Sequence, residues 1–390
     1  METVICATDA GREGELIFRL VYRLAGCKKP VKRLWVSSLE ESAVKKGFDN
    51  LEPGSSYDSL YHSALCRQEA DWLVGINATR LFTVLYGGRL LRAGRVQTPV
   101  LAMLAKREEE ITGFKKEKYF TVHINCNGMD AITEKTSSME EAEKIADSCQ
   151  DGKAVITSVT SEEKTVMPPE LYDLTSLQRD ANRYLGFTAK QTLEYAQSLY
   201  EKKLLTYPRT DSRYLSCGME ETALCILHEV LKLLLTEEKE EPGMDTSRII
   251  NSRKVTDHHA IIPTKLFNKG YMDKIPATEQ KILYLVAARL ACAAGEKYIY
   301  RSLKAGISCN GHVFTVSGKT VVHNGWKDFQ DICKRFLNSG ENDSGRGTEE
   351  GNLPDISEGQ VFENVQADVS GHYTKPPLHY TEDTLLFAME

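Results

Sequence analysis

Apolar residues recur along this chain with two different periods, and the change of period marks its organisation. The chain opens on a short apolar run, Val4-Ile5-Cys6-Ala7, that reads as a strand up to Thr8. An acidic loop, Asp9-Ala10-Gly11-Arg12-Glu13-Gly14-Glu15, follows it. Ile17, Leu20, Val21 and Leu24 then repeat at helical spacing until Gly26 and Pro30 stop the helix. Leu34-Trp35-Val36 reads as a second strand, and Ser38 with Glu41 as a capping box for a helix through Ala43, Val44 and Phe48. Strands separated by crossover helices predict a parallel α/β sheet. Asp9 stands at the carboxyl edge of its first strand, where such sheets place ligands.

Residues 60–110 keep a helical pattern, with Leu73, Ala78, Leu81, Leu85, Val100 and Leu104 as its apolar positions. After Gly113 the texture becomes strand-like, at Tyr119-Phe120-Thr121-Val122-His123-Ile124, at Ala154-Val155-Ile156 and again over 307–322. Pro168-Pro169 marks a boundary. Beyond it, Thr175 with Gln178 and Thr188 with Gln191 each open a helix, the second carrying Leu193, Ala196 and Leu199 on one face. Helical texture holds over 223–235 and 278–294, and strands resume near 303. A β layer split by a helical insertion is the organisation expected. Residues 339–355, rich in Gly, Asn, Asp and Ser, read as a loop or a disordered insertion.

Composition narrows the field. No apolar run approaches the roughly 20 residues that span a bilayer, and no basic-then-apolar leader precedes Val4. A cytoplasmic, membrane-free protein is expected. The ten cysteines are scattered singly, without a Cys-x-x-Cys pair, so neither a zinc ribbon nor a redox pair is encoded. The net charge of −6 argues, taken globally, against a nucleic-acid binder. Part of that acidity lies in two loop-like stretches, 237–241 and 341–358, while arginines and lysines gather near Arg89-Arg92-Arg95 and Lys202-Lys203-Arg209-Arg213. A local basic groove is compatible with the total.

Four stretches could carry chemistry. In Thr206-Tyr207-Pro208-Arg209-Thr210-Asp211, Pro208 forces Tyr207 into extended geometry at the end of an apolar run. A phenol is a poor nucleophile unless a cation or base assists it. Arg209, two residues on, lies on the same side of an extended chain and could take a phosphate bidentately. From those residues alone, a strand-end tyrosine packing its ring is the plainer alternative. The carboxylates of the 9–15 loop suit Mg²⁺, which takes one or two carboxylates and keeps several waters. They equally suit a solvated helix N-terminus. Ala93-Gly94-Arg95-Val96-Gln97-Thr98-Pro99 brings a cation, an amide and a hydroxyl to a helix start, fit for phosphate and base edges or for a simple capping turn. Asp257-His258-His259 offers one phosphate-binding or acid/base histidine, or two structural ones. Adjacent histidines face apart, which disfavours a two-histidine zinc site.

Taken together and in this order, these segments resemble type IA DNA topoisomerases, and the topoisomerase III branch most closely. Leu174-Thr175-Ser176-Leu177-Gln178 is similar to the stretch that opens the family's tyrosine-bearing domain, and Pro376-Pro377-Leu378-His379-Tyr380-Thr381-Glu382 to its Pro-Pro-x-x-Tyr/Phe-Thr-Glu segment. Six such segments in register make the resemblance specific. It implies ATP-independent cleavage of single-stranded DNA through a 5′-phosphotyrosine at Tyr207, strand passage and religation, relaxing or decatenating DNA. Arg209 and His258 would support the phosphate. Mg²⁺ would be held by Asp9 and Glu13 in a Toprim fold. Arg67 and Asp71 would line the single-strand groove, with Arg95, Gln97, Thr98, Thr206 and Thr381 as further DNA contacts. A monomer working on nucleoid DNA is implied.

The expected architecture is multidomain, α/β plus α plus β. It has a partial Toprim domain (1–56), a helical gate-base domain (57–112), a β-rich toroidal arch split into 113–167 and 303–372, an inserted tyrosine-bearing helical domain (168–302), and a return to the gate base (373–390). Three departures accompany the match. Gly11 stands where the family's Asp-x-Asp-x-Glu loop has its middle acid, so one metal ligand is lost unless Glu15 or water substitutes. The chain starts about where the second half of a Toprim fold starts, leaving apolar faces such as Ile17 and Leu20 exposed. It stops just after the Thr381-Glu382 segment. On this basis the chain by itself is not expected to complete a cleavage–religation cycle. The rivals are a non-catalytic single-strand DNA-binding fragment and another Toprim enzyme, a primase or nuclease.

Overall fold

The structure is a computed structural model that describes residues 2–36, 41–235, 243–255, 257–338 and 356–390. The Ser38/Glu41 capping box, the acidic stretch at 237–241 and the insertion at 339–355 lie outside the described residues.

Three short strands, β1 (Val4–Cys6), β2 (Val31–Arg33) and β3 (Glu52–Pro53), form the first sheet in the order β1-β2-β3. β1 and β2 run parallel, joined by the crossover helix α1 (Arg12–Leu24), and β3 is antiparallel to β2. The second strand thus lies three residues before the apolar triplet Leu34-Trp35-Val36. Pairing ends when the Leu34 N–H donates to the Cys6 carbonyl, because β1 has no residue left to pair beyond that point. On α1 the periodicity locates the helix but not its inward face. Gly14, Glu15 and Leu16 are buried, whereas Ile17 (58%), Val21 (62%) and Leu24 (90%) are exposed. Leu20 is exposed as well.

Helix α2 (Glu41–Asp49) leads to β3, and two long helices follow, α3 (Asp58–Leu85) and α4 (Gln97–Thr112). Both fall where the helical pattern placed them. Their apolar positions do not turn inward: Leu73, Leu81, Leu85 and Leu104 are exposed, and Ala64 is the buried residue of α3.

The strand-like texture resolves into a seven-stranded antiparallel sheet, ordered β10-β4-β5-β8-β7-β6-β9. Its strands are β4 (Lys118–Cys126), β5 (Met129–Ile132), β6 (Ala154–Val166), β7 (Tyr298–Cys309), β8 (His312–His323), β9 (Val361–Phe362) and β10 (Gln366–Tyr373). Two hairpins turn on Asn-Gly pairs, Asn127-Gly128 and Asn310-Gly311, all four residues at positive φ. That conformation matches the right-handed strand twist and suits asparagine and glycine. Helix α5 (Met139–Cys149) covers one face, closing a core that includes Val122, Ile124, Ile156, Ile307 and Phe314.

Between β6 and β7 the chain builds a helical body from α6 (Leu174–Leu185), α7 (Ala189–Glu201), α8 (Glu220–Leu234), the short α9 (Lys269–Met272) and α10 (Ala277–Ala294). α10 is buried nearly all round from Ile282 to Ala294, as an all-apolar helix must be. The Thr188/Gln191 box caps α7 as expected. α6 instead starts two residues earlier than Thr175 implies. Asp173 is its cap, closed reciprocally by Ser176, and Gln178 reaches away to the Ala189 carbonyl. Helix α11 (Lys327–Asn338) packs on α10, and α12 (Glu382–Met389) returns to lie on α6.

Candidate active site

Two loops are stitched side by side to present Tyr207. The Thr206 N–H donates to the Ile262 carbonyl (3.0 Å), while the Thr206 hydroxyl donates to the Ala260 carbonyl (3.2 Å) and accepts the Ile262 N–H (3.0 Å). On the far side of Tyr207, the buried Thr210 hydroxyl donates to the His258 carbonyl (2.9 Å). These bonds fix the tyrosine loop against the histidine loop. The Tyr207 and His258 rings therefore meet with centroids 4.3 Å apart, and Tyr200 from α7 closes edge-on at 5.3 Å.

The Tyr207 hydroxyl donates to Asp9 Oδ2 at 3.0 Å. This contact joins residues 198 positions apart and brings the acidic loop of the first sheet to the tyrosine of the helical body. Burial, and then the hydrogen bond and charge of Asp9, push the phenol up to about 12, with Arg209 opposing them. At neutral pH the group is a phenol. Arg209 is exposed and, among the described residues, makes no hydrogen bond or ion pair, so its guanidinium is open to an incoming anion. The two histidines divide as their adjacency requires. His258 faces Tyr207, whereas His259 is buried with Nδ1 donating to the Ala260 carbonyl (2.8 Å), and burial lowers its pKa, keeping it neutral.

The other sequence-picked residues fall into two groups. Arg67 pairs with Glu13 (3.2 Å) and Arg95 with Asp71 (2.5 Å), both pairs partly exposed, so four of them form two separate ion pairs beside the acidic loop and along α3. Gln97, Thr98 and Thr381 stand apart: among the described residues none makes a hydrogen bond or ring contact with Tyr207. Thr98 folds back to accept the Gly94 N–H (3.0 Å), the capping-turn alternative for that segment. Thr381 caps α12 through Thr384. Asp9 and Glu13 are exposed carboxylates. Glu15 does not take the place of the acid absent at Gly11. It is 1% exposed and turned inward, paired with Arg33 (3.1 Å) and Arg19 (2.8 Å). Beside Gly11 stands Asp257, whose carboxylate oxygen would lie 3.1 Å from a Cβ at that position.

A family model described as DNA topoisomerase matches residues 55–390. The chain belongs to the DNA topoisomerase family. It is 38% identical over 401 residues to DNA topoisomerase 3 of Bacillus subtilis, and 39% identical over 408 residues to that of Bacillus licheniformis. These matches cover 99% and 100% of this chain and 54% of each relative, so the chain spans about half the length of the relatives it matches. The solved structure of full-length topoisomerase I from Thermotoga maritima superposes with a TM-score of 0.74 at 24% identity, covering 98% of this chain and 61% of that one. The type IA topoisomerase fold expected from the sequence is the fold observed.

Three features of this topoisomerase-family site escape sequence reasoning. Tyr200, the approach of Asp257 to Gly11 and the Arg33–Glu15 pair all arise by tertiary contact, although Glu15 and Asp257 stand within segments the sequence singles out.

Proposed function

We propose that the enzyme this chain belongs to carries out type IA topoisomerase chemistry on single-stranded DNA, with Tyr207 of this chain as nucleophile. The contact between Tyr207 Oη and Asp9 Oδ2, with the His258 ring beside it, carries this reading. As the phenol oxygen attacks a backbone phosphorus, Asp9, already the acceptor of its hydrogen, is placed to take the proton. The Tyr207 Oη–P bond forms as the P–O3′ bond breaks, giving a 5′-phosphotyrosine, and the departing 3′-oxygen takes a proton from water to become a hydroxyl. Arg209 would neutralise the non-bridging oxygens and His258 would add a second donor. Religation is the reverse, with the 3′-hydroxyl displacing Tyr207 after a second strand has passed. The relatives named DNA topoisomerase 3 support the same assignment.

Asp9 and Glu13 would hold Mg²⁺. No group of three or more His, Cys, Asp or Glu side chains among the described residues lies close enough to hold a metal. Two hard carboxylates nevertheless fit an ion that otherwise takes water and phosphate oxygens. When bound, it would supply positive charge to the phosphate. The DNA-facing set comprises Arg67, Asp71, Arg95, Gln97, Thr98, Thr206 and Thr381, on a monomer partitioned into the domains read from the sequence and located on cytoplasmic nucleoid DNA. Among the described residues no helix is long and apolar enough to cross a membrane. A primase or nuclease would use the acidic loop but leave the Tyr207–Asp9 contact without a role.

The test is covalent trapping on a labelled single-stranded oligonucleotide. Tyr207→Phe is expected to bind the oligonucleotide like the unaltered chain and to form no adduct. An adduct surviving that change refutes the assignment.

A further inference from the structure

We propose that Arg33 is a positioning residue for the chemistry at Tyr207: beside the Glu15 carboxylate, its buried guanidinium holds the acidic loop so that the Asp9 carboxylate meets the tyrosine hydroxyl. The inference rests on the reading of Tyr207 as nucleophile and Asp9 as its partner.

The Arg33 side chain is 0% exposed. Nη1 donates to the carbonyls of Cys6 (3.1 Å), Thr8 (2.8 Å) and Leu34 (3.2 Å), Nη2 to that of Asp9 (2.5 Å), and Nε lies 3.1 Å from Glu15 Oε2. These carbonyls sit where β1 runs out and the chain turns into the loop. A buried ion pair is costly to desolvate, and for stability alone apolar side chains of like volume would serve as well. Apolar side chains cannot bind four carbonyls. Only the planar, five-donor arginine fork does so while pairing with a carboxylate, which lysine cannot reproduce. The Asp9 carbonyl and the Asp9 carboxylate belong to one residue, so fixing the first aims the second.

The same network extends away from the site. Glu15 Oε1 accepts Arg19 Nε (2.8 Å), and Arg19 Nη2 reaches the Gly54 carbonyl (2.7 Å) and Asp58 Oδ1 (2.9 Å). Asp58 is the first residue of α3, the helix that carries Arg67 and Asp71. Gly14 completes the clamp, since a Cβ there would collide with the Asp9 backbone. Asp9 is thus held in register with α3 through Arg33, Glu15 and Arg19.

The experiment compares single-turnover adduct formation on a single-stranded oligonucleotide by the full chain and by its Arg33→Lys, Glu15→Gln, Asp9→Ala and Arg33→Lys/Asp9→Ala variants. Groups that orient a metal-binding side chain cost about 10–100-fold when removed, and a loss of that order is expected for Arg33→Lys and Glu15→Gln with oligonucleotide affinity unchanged. The double variant should be no slower than Asp9→Ala alone, because both changes act through one carboxylate. Hydrogen exchange of the peptide spanning 8–14 gives a readout that needs no turnover: Arg33→Lys should speed it while the peptides of α10 stay protected. Arg33→Lys cleaving at the unaltered rate, multiplicative losses in the double variant, or unchanged exchange would each overturn the proposal. An adduct that persists in Tyr207→Phe would instead overturn the nucleophile assignment, which separates the two failures.

Discussion

Replacing Asp383 with alanine tests the seam between α12 and the helical body. Asp383 is 7% exposed and accepts three guanidinium bonds from α6: Arg179 Nε (2.9 Å), Arg183 Nε (3.0 Å) and Arg183 Nη2 (2.7 Å). Burial raises its pKa, but the two guanidiniums outweigh burial and hold the carboxyl below its ordinary value. Charge-assisted bonds are worth about 1.5–3 kcal/mol each, yet the Arg183 side chain is half exposed and its share is screened. We therefore expect Asp383→Ala to weaken the docking of α12 by about 2–3 kcal/mol, less than the 3–5 of a fully buried pair. At about 1.4 kcal/mol per tenfold, amides of α12 and the facing turn of α6 should exchange about 30- to 150-fold faster, while α10 stays protected. The pH sign follows from a lowered carboxyl pKa. The stabilisation is complete above the unfolded value of about 3.9 and disappears as pH falls through the lower folded value. The unaltered chain should therefore lose α12 protection in acid along a limb that the variant lacks. Equal exchange rates in the two proteins at neutral pH would refute this account.

Affinity for a single-stranded oligonucleotide should fall about tenfold between roughly 50 and 200 mM salt if two or three phosphates are neutralised by Arg67, Arg95 and Arg209; salt-independent binding counts against the groove. Gly14→Ala should destabilise the first sheet by about 1–3 kcal/mol, because its Cβ meets Asp9 backbone rather than a movable side chain, and a denaturation curve unchanged from the parent would contradict that. In difference titrations against Tyr207→Phe, Asp9→Asn should bring the tyrosine below about 12 but not to 10, since burial remains. A phenol pKa raised in the folded state lends stability that is whole below about 10 and lost as pH climbs towards 12, and an unmoved titration would show that Asp9 does not act on it.

Local signals and tertiary ones divide sharply in this chain. Helices α1, α3, α4, α7 and α10 are legible because propensity, caps and period act within a few residues. Their inward faces are less so. A periodic apolar stripe names a core face only if a partner covers it, and on α1 the stripe of Ile17, Val21 and Leu24 lost to Glu15, which Arg33 draws inside. The start of α6 lies two residues before Thr175 for a related reason: Asp173 and Thr175 are both good capping residues, and the choice falls to Asp173, whose carboxylate also accepts Arg213 Nε (2.7 Å). Strand β2 moved because β1 is only three residues long, which apolar content alone does not reveal.

At the site, sequence order found Tyr207, Asp9 and His258 but could not say that they touch. What brings Tyr207 to His258 is the pair of hydroxyls flanking the tyrosine, Thr206 and Thr210, each bonded to a backbone some fifty residues away. Charge shows the same limit. A net −6 ordinarily speaks against a nucleic-acid binder, yet several carboxylates near the acidic loop and α3 are already matched: Glu13 with Arg67, Asp71 with Arg95, Glu15 with Arg33 and Arg19. The buried pair is permanent structure. The two exposed pairs are worth about 0–1 kcal/mol, little enough for a phosphate oxygen to replace a carboxylate oxygen on the same guanidinium. The charge open to an anion there is therefore set by which pairs can open, and among the described residues Arg209 makes no ion pair.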